Sequence, residues 1–287
     1  MNGQATTVNE SLAARLAADR PVLAVGVFDA LSAVIAEQTG FEALFLSGSS
    51  LALTQLARPD VGLLTLTELA DATSRICERV TVPLLVDADH GFGNALNVSR
   101  AVRTLERAGA SGIQLEDRVE AVLPKHISER PVVAVTTLVD KIRAAVDARV
   151  SATTVISART DAMYSHGLSA AIERAQRCIE AGADMVFVEG CKSADDRRAV
   201  VEALAGQRPV LFNTSIMPAE AIPAYEVLAA AGYAVILFPG IAASAAGGAV
   251  QTTLDRLQGW AAGGELPRSD FNAATVIGTA AFLKPFS

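Results

Sequence analysis

The chain has 287 residues, 51% of them hydrophobic and 5% aromatic, enough for one large domain with an ample core in which small side chains let helices pack closely on a buried sheet. A formal net charge of -7 excludes the basic face that nucleic acid or an anionic membrane would require, so an anionic ligand must be held by a few local cations or a metal. Three cysteines without CxxC spacing (Cys77, Cys178, Cys191) point to reduced thiols in a cytoplasmic setting, residues 1–9 lack the apolar stretch of a secretory signal, and no apolar run reaches the ~18 residues of a membrane span.

In chain order, residues 1–20 read as a helix with leucine and alanine at helical spacing, stopped by Pro21, that caps the bottom of a barrel or packs on a neighbour. Eight apolar runs follow, at 22–27, 43–46, 83–86, 112–115, 153–157, 185–188, 210–212 and 233–238, each closed by a polar or glycine-rich turn and followed by a helical pattern. Short runs of Val, Ile and Leu without strict alternation are what strands buried on both faces look like. Alternation with helices predicts an α/β (β/α)₈ TIM barrel, 1–287 as one domain. Ala108-Gly109, Ala181-Gly182 and Ala231-Gly232 fit helix C-caps ahead of the next strand. The competing architecture, an open doubly wound sheet, is weakened because the first strand–helix turn has no GxGxxG. Residues 241–287 form a C-terminal helical extension, packed either on another subunit or on its own barrel.

Barrel enzymes carry their chemistry at the C-terminal ends of strands, and here those ends are charged. Strand two ends in Ser47-Gly48-Ser49-Ser50, with Asp60 in the loop after it. Strand three ends in Asp87 and Asp89, strand four in Glu116 and Asp117, and strand five in Arg159 and Asp161. Glu189 closes strand six and Asn213 strand seven. A lone DxD after a strand is an ordinary solvated turn more often than a site. Acids crowded at one rim, however, repel one another unless a divalent cation screens them, and carboxylate oxygens suit Mg²⁺ or Mn²⁺. Arg159 supplies a fixed cation able, with the metal, to stabilise an enolate, while the glycine-containing turn 47–49 can present backbone N–H groups to a carboxylate. The implied partner is a small anionic 2-oxo or 2-hydroxy acid.

Together these residues resemble the isocitrate lyase and phosphoenolpyruvate mutase superfamily. The resemblance runs from Gly26-Val27-Phe28-Asp29-Ala30-Leu31-Ser32 to about Gly240 and includes Ser47-Gly48-Ser49, Asp60, Asp87-Ala88-Asp89, Gly91-Phe92-Gly93-Asn94, Glu116-Asp117, Lys141-Ile142 and Ala158-Arg159. It implies a (β/α)₈ barrel whose last helix is swapped between subunits, in a dimer of dimers. It also assigns Asp87, Asp89 and Glu116 to the Mg²⁺ shell, directly or through water, and Arg159 and Ser47 to Ser49 to the pyruvate-like end of the substrate.

The departures bear on the reaction. Lyases for isocitrate and methylisocitrate carry a loop cysteine that protonates the enolate; here the stretch is Leu123-Pro124-Lys125-His126-Ile127-Ser128, with Ile127 at the cysteine position and no match to the Asn of phosphonomutases. His90 is similar to the oxaloacetate decarboxylase branch, as a direct participant or as an orienting or buried histidine. That branch's Tyr and His after strands seven and eight are replaced by residues around Ser215 and by Gly240. Glu189 and Asn213 resemble the methylisocitrate lyases, yet the arginine that grips a distal carboxylate there aligns near Ser244. Lys125 and His126 lie on a lid or on an exposed basic turn, Cys191 reaches the mouth or is inert, and His166 is expected at the surface. The expected activity is a Mg²⁺-dependent carbon–carbon lyase with Arg159, Asp60 and His90 as catalytic candidates, most like oxaloacetate decarboxylase. The alternatives are a methylisocitrate-type lyase with an altered proton donor and a non-catalytic keto-acid-binding barrel.

Overall fold

The computed structural model describes residues 11–119, 129–215, 217–268 and 271–278. The stretch 123–128 and the extreme ends of the predicted terminal helices lie outside the described residues.

Eight parallel strands form the predicted barrel: β1 (Val22–Val27), β2 (Ala43–Leu46), β3 (Leu84–Asp87), β4 (Gly112–Glu116), β5 (Val155–Thr160), β6 (Met185–Val188), β7 (Leu211–Asn213) and β8 (Val235–Phe238). The first and last strands pair from Val22↔Val235 to Val25↔Phe238, and a parallel bridge Val186↔Val210 joins β6 to β7. This near-closure sets aside the open doubly wound sheet, whose first and last strands would not meet. Four strands, β3, β5, β7 and β8, start later than their apolar runs, and at two of them the local cause is visible. Thr153 and Thr154 sit in a turn, with the Thr154 N–H donating to the Ser151 carbonyl (3.1 Å), and Pro83 lacks a ladder N–H, although its carbonyl accepts from Leu44 N (3.0 Å).

Apart from buried polar residues such as Gln114 and Ser157, the runs are apolar because both faces of each strand are covered. One set of residues, including Val25, Leu46, Val86, Ile113 and Ile156, joins a core beneath the helices. The alternate set, including Ala24, Phe45, Leu85, Val155, Phe187 and Leu237, fills the barrel interior. Leu12 of α1 (Leu12–Leu16) joins that interior, so α1 caps the barrel. Among the described residues this helix stops before residue 20. Ser11 caps its start, accepting from Ala14 N at 3.2 Å, and Ala17 closes it ahead of Pro21, which disfavours helical geometry at the preceding residue.

The surrounding helices are α2 (Ala30–Thr39), α3 (Gly48–Leu51), α4 (Leu66–Cys77), α5 (Ala95–Arg107), α6 (Val135–Ala148), α7 (Ala162–Glu180, broken at Gly167), α8 (Ala194–Leu204) and α9 (Tyr225–Ala231). Among the described residues no helix is long and apolar enough to cross a membrane. Beyond β8, α10 (Ile241–Ala261) buries Ala243 alone and exposes Val250, Leu254 and Trp260, whereas α11 (Ala273–Ile277) returns to its own barrel, with Gln38 Nε2 donating to the Val276 carbonyl (2.8 Å).

Gly26 decides how closely β1 approaches the turn after β8, since a Cβ there would lie 1.7 Å from the Pro239 carbonyl oxygen. Gly26→Ala is expected to lower unfolding free energy by about 3 kcal/mol, the scale of forced overpacking, measured by urea denaturation; a change within ~0.5 kcal/mol, typical of neutral surface changes, would show that the backbone there yields freely.

Candidate active site

The site begins where β2 and β3 run out. Ser47 caps α3, its Oγ lying 2.9 Å from Ser49 Oγ. Between them Gly48 leaves the room that a side chain would take: a Cβ would come 3.1 Å from Asp89 Oδ1 and 3.8 Å from Asp87 Oδ2. The missing side chain thus brings the β2 turn directly against both carboxylates. Asp89 turns the chain with φ 46°, a left-handed conformation that Asp tolerates better than most residues. Its amide donates weakly to Asp87 Oδ1 (3.4 Å), and its carbonyl accepts from Glu116 N (2.8 Å), continuing the β3–β4 pairing into the site.

Arg159 reaches the same region from β5 with its side chain 12% exposed. Asp161 holds it in bidentate fashion, Nε to Oδ1 at 2.8 Å and Nη2 to Oδ2 at 3.2 Å, while Nη1 lies 3.2 Å from Glu116 Oε2. Its guanidinium carbon sits 5.4 Å over the Phe187 ring. Burial disfavours its charge, but Asp161, Glu116 and Glu189 outweigh that and hold it protonated.

These side chains face one cavity of about 280 Å³, lined by Ser47, Ser49, Asp60, Asp87, Arg159, Glu189 and Asn213 among the sequence-predicted residues. Glu189 accepts from Asn213 Nδ2 (3.1 Å). Gly48, Asp89 and Glu116 stand immediately behind. His90 does not line the cavity: its carbonyl accepts from Lys141 Nζ (2.9 Å) and its ring is tilted toward Phe92, 6.2 Å between centroids. Cys191 is buried outside the cavity lining, and His166 is exposed on α7 beside Ser165.

Sequence reasoning missed several lining residues. Arg118 pairs with Glu116 (3.2 Å), and Arg130 pairs with Asp161 (2.9 Å) and stacks 4.6 Å over Tyr164. Arg130 has φ 43°, a strained setting of the kind found at binding sites, costing roughly 1–3 kcal/mol. Gln114 is buried in the barrel interior with its Oε1 unpartnered among the described residues, available to a water or ligand donor. A polar residue within the apolar run 112–115 was the available signal for Gln114; the arginines offered no pattern beyond lying beside a strand end and before a proline.

The electrostatics decide what the cavity can hold. Asp60, Asp87, Asp89, Glu116, Asp161 and Glu189 outnumber Arg118, Arg130 and Arg159. Burial raises the Asp87 carboxyl against the opposing pull of Arg159. Burial followed by repulsion from Asp87, Asp60 and Glu116 lifts Asp89 well above the carboxylate range. Burial pushes Glu116 up to about 8, with Arg159 working against it. Asp161 goes the other way: burial opposes its charge, but Arg159 and Arg130 prevail and keep it ionised. Such a field repels a dianion unless protons or a divalent cation compensate it.

Among the described residues no three acid, histidine or cysteine side chains close on one point as a complete cage. The donor set still fits Mg²⁺, which keeps several waters and usually takes one or two carboxylates from the protein. Asp87 and Asp89, side by side at the Gly48 gap, are the carboxylates that would supply those oxygens. Both Glu116 oxygens are already paired with arginines, Oε1 with Arg118 (3.2 Å) and Oε2 with Arg159 (3.2 Å).

The phosphoenolpyruvate phosphomutase family matches residues 12–258. The chain is 44% identical over 218 residues to the 2-methylisocitrate lyase of Aeropyrum pernix, covering 76% of this chain and 69% of that protein. It is 41% identical over 258 residues to the oxaloacetate decarboxylase of Rhodopseudomonas palustris, covering 88% and 85%. A phosphonopyruvate hydrolase solved with oxalate and Mg²⁺ superposes with a TM-score of 0.83 at 30% identity, covering 96% of both chains.

Without metal, the folded protein holds the Glu116 proton more tightly than the unfolded chain does, so this group's contribution is full below about 4.5 and is lost as pH rises through about 8. Asp161, shifted the opposite way, titrates below that window, whereas Asp87 and Asp89, raised like Glu116, add to the decline. Urea midpoints in EDTA are therefore expected to fall from pH 5 to pH 8, Glu116→Gln is expected to flatten the decline, and an identical slope in that variant would disprove the assignment.

Proposed function

The chain belongs to the phosphoenolpyruvate mutase and isocitrate lyase superfamily and is a carbon–carbon lyase of small acids; on that premise we propose that it decarboxylates oxaloacetate to pyruvate with Mg²⁺, or Mn²⁺, held by Asp87 and Asp89 and, through water, by Glu116. One observation carries the choice of decarboxylation: none of the three cysteines lines the cavity. Burial pushes the Cys191 and Cys178 thiols up to about 12 and Cys77 to about 11, and Ile127 stands where the resembling lyases have their acidic cysteine. Decarboxylation needs no such acid.

The Ser47–Ser49 turn and the Arg159 guanidinium receive the 2-oxo acid end, and bound metal would polarise its oxo group and offset the surrounding acids. As the bond from C3 to the departing carboxylate breaks, its electron pair moves toward the 2-oxo oxygen. Arg159, held by Asp161, is oriented to stabilise that growing negative charge. Phe45, Phe187 and Leu237 form an apolar floor against which the departing carboxylate becomes neutral CO₂. Water then protonates C3 of the enolate, Asp60 supporting the water network and His90, behind the acids, orienting the turn that carries Asp89. Free thiols suit a cytoplasmic setting.

Glu189, held by Asn213 and Tyr164 (3.4 Å), favours a second reading in which a branched 2-hydroxy acid is cleaved to pyruvate, as in the methylisocitrate lyases. Steady-state assays separate the two. Oxaloacetate with Mg²⁺ is expected to yield pyruvate and CO₂, EDTA to abolish it, and Arg159→Lys or Asp87→Asn to cost about 10²–10³ in kcat. Pyruvate from 2-methylisocitrate alone, with no metal-dependent loss of CO₂ from oxaloacetate, would replace the decarboxylase reading with the second.

The apolar residues exposed on α10 support assembly with other copies of the chain as a dimer of dimers. Light scattering is expected to give a tetramer that Leu254→Asp combined with Trp260→Asp reduces to smaller species; a monomeric parent protein would rule this out.

A further inference from the structure

We propose that Asp117, which takes no part in the chemistry above, is a positioning residue that aims both Arg159 and Arg130 into the cavity through Asp161, with Arg174 as its counter-ion. Asp117 follows β4 directly and is fully buried. Its Oδ1 accepts from the Asp161 backbone N–H (2.8 Å), and its Oδ2 accepts from Thr160 Oγ1 (2.6 Å) and Arg174 Nη1 (3.2 Å). One carboxylate therefore grips consecutive residues at the end of β5. Asp161, fixed in this way, spreads its own carboxylate between Arg159 and Arg130 Nη1 (2.9 Å).

The same pair also secures the segment that delivers Arg130. The Asp117 carbonyl accepts from Val133 N (2.8 Å), Arg174 Nη1 donates to the Val133 carbonyl (2.8 Å), and Arg118 and Val132 form an antiparallel bridge. The end of β4, the end of β5 and the chain just after Arg130 thus converge on Asp117. A shift there rotates the Asp161 carboxylate and turns both guanidiniums together, and misplacement by about 1 Å can cost a hundredfold in rate.

A purely structural ion pair behaves differently, because a buried pair can be replaced by neutral groups of similar volume with stability retained. The test compares wild type, Asp117→Asn and the double variant Asp117→Asn with Arg174→Met, all with Mg²⁺. Melting temperature, oxalate affinity by calorimetry, and kcat and KM for oxaloacetate are read out. The single variant is expected to melt early because Arg174 is left uncompensated. The double variant is expected to recover most of that stability while oxalate affinity and kcat/KM each stay about a hundredfold down. Wild-type binding and turnover in a refolded double variant would overturn the proposal. Should the double variant not fold, Thr160→Val, which removes one of the three bonds to the Asp117 carboxylate, is expected to weaken oxalate about tenfold, and unchanged affinity there overturns the proposal equally. The turnover readout rests on the lyase reading, whereas oxalate affinity does not: a wild type that binds oxalate with Mg²⁺ but cleaves no acid defeats that reading and leaves Asp117 to be judged on binding alone.

Discussion

A guanidinium largely withdrawn from water has to be neutralised and aimed at once, and the two-pronged contact between Asp161 and Arg159 does both. Because Asp161 lies only two residues beyond Arg159, the pair forms wherever β5 ends, and its orientation follows from the backbone at that point. That backbone is not free. Asp117 takes the Asp161 amide and the Thr160 hydroxyl, so the direction of Arg159 is inherited from the end of the neighbouring strand.

The opposite side of the cavity has a charge problem that the described residues leave unsolved. Asp87 and Asp89 are buried side by side, and Gly48 lets the preceding turn close over them without placing a cation there. The arginines that could have compensated them are already engaged with Glu116, Asp161 and Glu189. One half of the site is saturated and fixed while the other half is electrostatically unfinished, a division that suits chemistry in which a hard cation and a fixed guanidinium share a developing negative charge. The apolar floor beneath, made by barrel-interior side chains, belongs to the fold as much as to the site.

The barrel makes this economical. Inward-facing residues of adjacent strands lie level with one another, as Asp87↔Gln114 and Gln114↔Ser157 do, so polar groups added near strand ends meet without any loop having to be positioned. Extra acids and arginines accumulate at one end of the barrel while the rest of each strand remains a packed core.

By itself the sequence determined the architecture and the inventory of chemical groups. Strands covered on both faces must be largely apolar, so eight short runs rich in Val, Ile and Leu spelled out the barrel, and charged residues just past those runs marked one functional rim. Alanine–glycine pairs marked helix ends because Gly109, Gly182 and Gly232 adopt left-handed backbone that other residues resist. What only the tertiary structure decided is which of those groups meet. Arg118 and Arg130 flank a connection whose course no local pattern encodes, yet both face the cavity, whereas His90, within the most conspicuous motif, stands outside its lining. Glu116, which the resemblance assigns to the metal shell, is also paired with two arginines, a contact that only the tertiary structure reveals. Proximity in a closed barrel is a sum over strands far apart in the chain, and the charge felt by each carboxyl is fixed by that sum rather than by its neighbours in sequence.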